Sequence, residues 1–131
     1  MRYVLTVFCL LGVTACTGGA TSPSPINQEV VLAPGQSAPI VPAGISLRFL
    51  GVANDSRCPA DAMCVLGGSA SVDVQVTSFS GGAQVLRFET GDPKGFQLGT
   101  LTLSLVQLAP YPFSAQPINP ADYRATLRVT R

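Results

Sequence analysis

The groups with the sharpest intrinsic chemistry in this chain are its four cysteines, Cys9, Cys16, Cys58 and Cys64. Cys9 and Cys16 belong to an apolar N-terminal stretch, whereas Cys58 and Cys64 stand in a polar segment with five residues between them. That spacing is not a CxxC redox pair, and a four-ligand zinc site would need two more ligands from a chain with no His. The missing His also excludes Ser-His-Asp and Cys-His nucleophile systems and imidazole proton shuttles. Seven carboxylates remain for acid/base work, but no pairing motif brings two of them together. Asp55 and Asp61 could offer oxygens to calcium beside loop carbonyls, yet the alternating carboxylates and bidentate Glu of a calcium loop are missing. No catalytic, cofactor-binding or metal-ligating residue is assigned, and the chain is read as a non-enzyme.

Elements must position these groups, and length bounds how many there are. The 131 residues suit one ordinary domain. Charged residues make up 11% of the chain against roughly 25% in typical soluble domains, while 13 Gly and 11 Pro point to many turns. From Cys16 onward, seven Lys/Arg face seven Asp/Glu, so the side chains sum to zero. A neutral chain has no electrostatic footprint for nucleic acid.

Residues 1–15 read as a signal peptide. Arg2 precedes the apolar run Val4–Val13, broken only by Thr6, Cys9 and Gly12. Such a run is too short for a hydrocarbon core of about 30 Å, which takes roughly 20 residues of helix, and it fits a signal-peptide h-region. The next residues, Val13-Thr14-Ala15-Cys16, resemble the lipobox of bacterial lipoproteins: an aliphatic residue, two small residues and a Cys. The resemblance implies cleavage before Cys16, diacylglycerol on its sulfur and a fatty acyl group such as palmitate on the new amine. Small residues let the backbone enter a protease, and the thiol is the soft nucleophile for alkylation. Several acyl chains exceed the single chain that binds a bilayer only marginally, so the anchor is stable. Thr17 stands where Asp would retain a Gram-negative lipoprotein, which implies release to the outer membrane, on its periplasmic or surface face.

Residues 16–27 form the lipidated tether. The segment TGGATSPSPIN is small, polar, uncharged and punctuated by Pro, and it cannot bury enough apolar area to offset its ordering entropy. The folded domain is expected over residues 28–131.

Within that domain the hydrophobic period is two. Ile45–Phe49, Ser71–Thr77, Leu86–Glu89, Thr100–Leu105 and Tyr123–Thr130 alternate apolar and polar residues, and no long segment carries a helical stripe. Ala33-Pro34-Gly35-Gln36, Ser80-Gly81-Gly82-Ala83 and Gly91-Asp92-Pro93-Lys94-Gly95 read as tight reversals. The fold expected is all-β: a small antiparallel β-sandwich of about seven strands, with a partly open barrel as the alternative. The expected core is Val30, Leu32, Ile45, Leu47, Phe49, Val72, Val74, Val76, Leu86, Phe88, Leu101, Leu103, Leu105, Tyr123, Leu127 and Val129. Each such side chain contributes roughly 1.5–3 kcal/mol when fully buried, before entropy is subtracted. Arg48, Arg87, Arg124 and Arg128 fall on the wet face and are expected as solvated side chains that keep the sheets soluble, with cross-strand pairing to Asp73 or Glu89 as the alternative.

With Cys9 removed and Cys16 acylated, Cys58 and Cys64 are left as a pair in an exported chain, where disulfides persist. Closing a seven-residue ring contributes about 2.4 kcal/mol on a chain-entropy estimate. Asp55-Ser56-Arg57-Cys58-Pro59, followed by Cys64 and Gly67, resembles a signature of short exported bacterial lipoproteins and secreted β-domains. There an aromatic, typically Trp, stands before the Gly; Leu66 occupies that place here, so no shared aromatic platform is implied. The resemblance implies an exported β-domain and no particular activity. Physically, Asp55 suits an Asx-type turn, and Arg57 can donate to carbonyls or to Asp55. The functional alternative is a recognition tip formed by Asp55, Arg57, Asp61 and an exposed Met63.

Ala109–Asp122 joins two strong strands with four prolines in fourteen residues, so it is expected as an extended loop. Loops of this length are functional or pack over the end of a core. Tyr111 and Phe113 are expected as lids on the sandwich; exposed, they would make an aromatic contact site.

The reading of function is a membrane-anchored exported lipoprotein of the cell envelope. Its β-domain binds an envelope protein or glycan through residues Asp55, Arg57, Asp61, Met63, Tyr111 and Phe113. The alternatives are a carboxylate-based hydrolase and a purely structural subunit of an envelope complex.

Overall fold

A computed structural model describes residues 22–131. The signal peptide, Cys16 and the first part of the tether lie outside the described residues. Alternation in the sequence becomes alternation in burial, and eight strands follow: β1 (Asn27–Leu32), β2 (Ser37–Ile40), β3 (Ile45–Asp55), β4 (Ala70–Ser78), β5 (Ala83–Glu89), β6 (Phe96–Leu98), β7 (Leu101–Ala109) and β8 (Arg124–Thr130). They form two antiparallel four-stranded sheets, one ordered β1-β8-β7-β6 and the other β2-β3-β4-β5. Both sheets are open, so the molecule is a sandwich. The strand beyond the seven expected comes from short segments, β2 and β6, too brief to display a period. No α-helix occurs among the described residues; Val41–Ala43 and Pro120–Asp122 are single 3-10 turns.

The inner faces of the two sheets make one core. Phe49, Leu47, Leu103, Leu127, Val72, Val74 and Val129 are its largest fully buried members, with Ile40. Three expected core residues, Val30, Leu86 and Leu105, are only partly buried. Val30 and Leu86 lie on the edge strands β1 and β5, which a neighbour covers from one side only. Leu105 precedes a β-bulge between Leu105 and Gln107, and the extra residue moves the inward phase on to Leu108, which is buried. Ile26, Ile40, Ala70 and Ala125 also enter the core.

The register gives the sandwich two distinct poles. At one, Asn27 pairs with Thr130, Thr102 pairs with Thr130 from the other side, and Ile45 pairs with Ser78. Ile26, where the tether joins the domain, lies at this pole, its carbonyl accepting the Arg131 N–H at 3.0 Å. At the opposite pole, Asp55 pairs with Ala70 and Ala109 with Arg124. The long segments 56–69 and 110–123 both leave from that second pole.

A candidate recognition pole

The far pole is assembled around Arg57. β3 ends at Asp55, and Ser56 continues its pairing through its N–H and Oγ, which both donate to Ser69 O, at 2.9 and 2.8 Å. Gly68 permits this closure, because a Cβ there would collide with the Ser56 carbonyl. The Arg57 N–H then donates to Asp55 Oδ1 at 3.2 Å, the Asx-type contact that the sequence suggests. The side chain turns inward and is only 8% exposed. Its Nε donates to Asp55 Oδ1 at 2.8 Å and its Nη2 to Asp55 Oδ2 at 2.6 Å. Nη1 donates to Leu108 O at 2.7 Å, and Nη2 also reaches Pro110 O at 2.9 Å. The planar guanidinium thus clamps a carboxylate on one side and the start of the proline-rich loop on the other.

Tyr123, at the start of β8, completes the node. Its ring is buried, as expected for a core residue, and its hydroxyl donates to Asp55 Oδ2 at 2.9 Å. The hydrogen bonds from Arg57 hold the Asp55 carboxyl below its usual range; burial opposes this and the Tyr123 hydroxyl adds to it. The Arg57 guanidinium is pushed up by the same pairing. Burial, reinforced by the neighbouring carboxylate, pushes the Tyr123 phenol up. All three groups stay in the form that keeps the node together.

Asp61 ties the two loops a second time. Its Oδ1 accepts the Ser114 N–H at 2.9 Å and its Oδ2 the Ser114 hydroxyl at 2.5 Å, and these bonds lower its pKa. Beside this link, the Ala60 N–H donates to Pro112 O at 2.9 Å. Between these ties runs the Cys58–Cys64 disulfide, with its Cα atoms 5.9 Å apart. The covalent ring, the Arg57 clamp and the Asp61 link hold both segments as one unit.

On this support stands an apolar surface. Met63, inside the disulfide ring, is fully exposed at 102%, and Val65 and Leu66 just beyond it are also exposed. Tyr111 and Phe113 remain 53% and 51% exposed, so the expected lid over the core end is not what they form. The core end beneath holds Leu108 and Tyr123, both buried, in the place expected for these aromatics. One face of Tyr111 covers the guanidinium, with Arg57 Cζ 5.2 Å from the ring centroid. Phe113 borders a groove shared with Tyr111, Gln116 and Ile118.

Of the six residues singled out in the sequence, Asp55, Arg57 and Tyr111 form one cluster. Asp61 and Phe113 border another small depression, and Met63 stands on the ring. Asp55 and Asp61, considered together for calcium, are engaged by different partners, Arg57 with Tyr123 and Ser114 respectively. Ser114, Val65 and the Tyr123 hydroxyl belong to the pole without having been singled out. Elsewhere Arg87 pairs with Asp73 at 2.7 Å, the alternative to a solvated side chain, while Arg128 pairs with Glu29 and Arg124 turns to the Ala121 and Tyr123 carbonyls. Glu89 accepts the Ser69 and Ser71 hydroxyls. No family model, curated protein or solved structure matches the chain.

Proposed function

We propose that the protein is a lipid-anchored, exported envelope protein whose β-sandwich binds a protein or glycan through the far pole, without catalysing a reaction. The observation that carries the binding reading is the exposure of Met63, Val65, Leu66, Tyr111 and Phe113 on a segment pair that is otherwise heavily braced. Exposed apolar side chains on a rigid support gain by burial against a partner and lose little entropy when it arrives. A purely structural loop has no need to hold such residues outward. The non-catalytic reading is supported by geometry: Asp55, Asp61, Asp73 and Glu89, four of the seven carboxylates, are each engaged by separate hydrogen-bond partners within the scaffold.

Anchoring and export rest on the Val13-Thr14-Ala15-Cys16 motif, and the disulfide fits an oxidising compartment. The tether leaves from the opposite pole, so the apolar far pole is directed away from the attachment point. The test is capture of envelope components by the detergent-extracted protein, compared with the same protein carrying Met63→Asp and Leu66→Asp. The double variant is expected to lose the components that the parent retains. Equal capture by both would refute the assignment of binding to this pole.

A further inference from the structure

The tether pole has its own surface, built from two turns of the β2–β5 sheet. The Phe79 N–H donates to Gly44 O at 2.9 Å, which sets the 3-10 turn Val41–Ala43 beside the β4–β5 hairpin. On these adjacent turns Val41 is 70% exposed and Phe79 57% exposed. Next to them opens a cavity of about 390 Å³ whose walls include Ile45, Val76, Ala83, Leu98 and Leu101. Residues 40–46, 77–84 and 97–102, which build this end, contain no Asp, Glu, Lys or Arg. The far pole, by contrast, carries Asp55, Arg57, Asp61, Asp122 and Arg124. The residue after β8, Arg131, adds one exposed cation here, beside Ile26.

We propose that this pole, whose turns carry no charged side chain, seats on the bilayer, with Val41 and Phe79 inserted at the boundary between headgroups and acyl chains. The inference rests on the anchoring part of the reading above and is independent of what the far pole binds. An apolar surface without charges can enter that boundary without desolvating an ion, and an aromatic ring suits the interface. Arg131 then faces anionic headgroups. Chain length favours the same occupant. Cys16 precedes Ile26 by ten residues, which span at most about 35 Å. An acylated Cys16 therefore holds this pole close to the lipid, where even a weak apolar contact becomes an intramolecular one.

The chain contains no Trp, so a single introduced indole is its own reporter. Phe79→Trp, Val41→Trp and Leu66→Trp are each made in the full-length protein, extracted from membranes with its anchor. Each is then reconstituted into phosphatidylethanolamine–phosphatidylglycerol vesicles, with or without bromine on the acyl chains. All three positions are exposed, so the substitutions remove no core side chain. The seat predicts that the first two lose most of their emission in brominated vesicles and shift to the blue, while the Leu66→Trp signal is unchanged. Protein that floats with the vesicles but shows no quenching of Phe79→Trp, or equal quenching of Leu66→Trp, overturns the seat and leaves the anchor standing. Protein that does not float overturns the anchoring reading and the seat together.

Discussion

Arg57 satisfies a carboxylate beside it in the chain and two carbonyls from the end of β7 and the loop after it, and little else could. Replacing it with Met keeps the apolar stem but leaves Asp55 ionised in a half-buried place with only Tyr123 as side-chain partner. Breaking a buried pair in this way costs about 3–5 kcal/mol, and urea denaturation of Arg57→Met is expected to show a loss of that order. The same pair makes a pH prediction. The folded-state pKa of Asp55 is depressed, chiefly by Arg57, so its contribution is complete above the ordinary carboxylate pKa. That contribution is lost as pH falls through the lowered value. The unfolding midpoint should therefore drop on acidification below about pH 4, and Asp55→Asn should flatten that part of the profile. The turn chemistry of Asp55 and Arg57 was legible in the sequence because it is local. The carbonyls of Leu108 and Pro110 were not, since their contacts span more than fifty residues. Tyr111 and Phe113 were misread for a related reason: whether an aromatic covers a core end depends on what else closes it, here Leu108 and Tyr123.

At the level of elements, period-two runs identified the long strands directly, because one face of each packs on the other sheet. Where the period breaks, the reading broke with it. The bulge after Leu105 shifts the inward phase to Leu108, and no residue type announces it. The small residues Ala70 and Ala125 lie on the inner face but are too inconspicuous to be picked out by hydrophobicity. Leu47 sits at the centre of this packing, fully buried between the sheets. Leu47→Ala is expected to cost about 2–5 kcal/mol, measurable as a lower thermal midpoint. The disulfide acts on a separate unit. Replacing Cys58 and Cys64 together by Ser should lower stability by about 2 kcal/mol while the β-sheet circular dichroism persists. A loss of all β signal would mean that the ring holds the sandwich itself and not only the far pole. Gly68→Ala is expected to displace segment 56–69, since the added methyl meets the Ser56 carbonyl. Faster amide exchange at Ser56, whose N–H closes on Ser69 O, would register it.

Across the whole molecule, the two ends of the sandwich differ in polarity. At the tether end the turns carry no charged side chain; the other end is braced by the Arg57–Asp55 ion pair and hydrogen bonds and offers apolar side chains outward. The sandwich between them fixes their opposition, because β8 runs from Arg124 beside the loops to Thr130 beside Asn27. None of this polarity was legible residue by residue; it follows from which strand ends the register brings together. Anchoring and export, the central claim, depend on the sulfur of Cys16, and the most direct measurement is the intact mass of the protein extracted from the membranes of the cells that make it. The account predicts a chain beginning at Cys16, heavier by a diacylglyceryl group and a fatty acyl group and lighter by the two hydrogens lost in the Cys58–Cys64 bond. A mass matching a chain that still begins at Met1, or one with an unmodified Cys16, would contradict it.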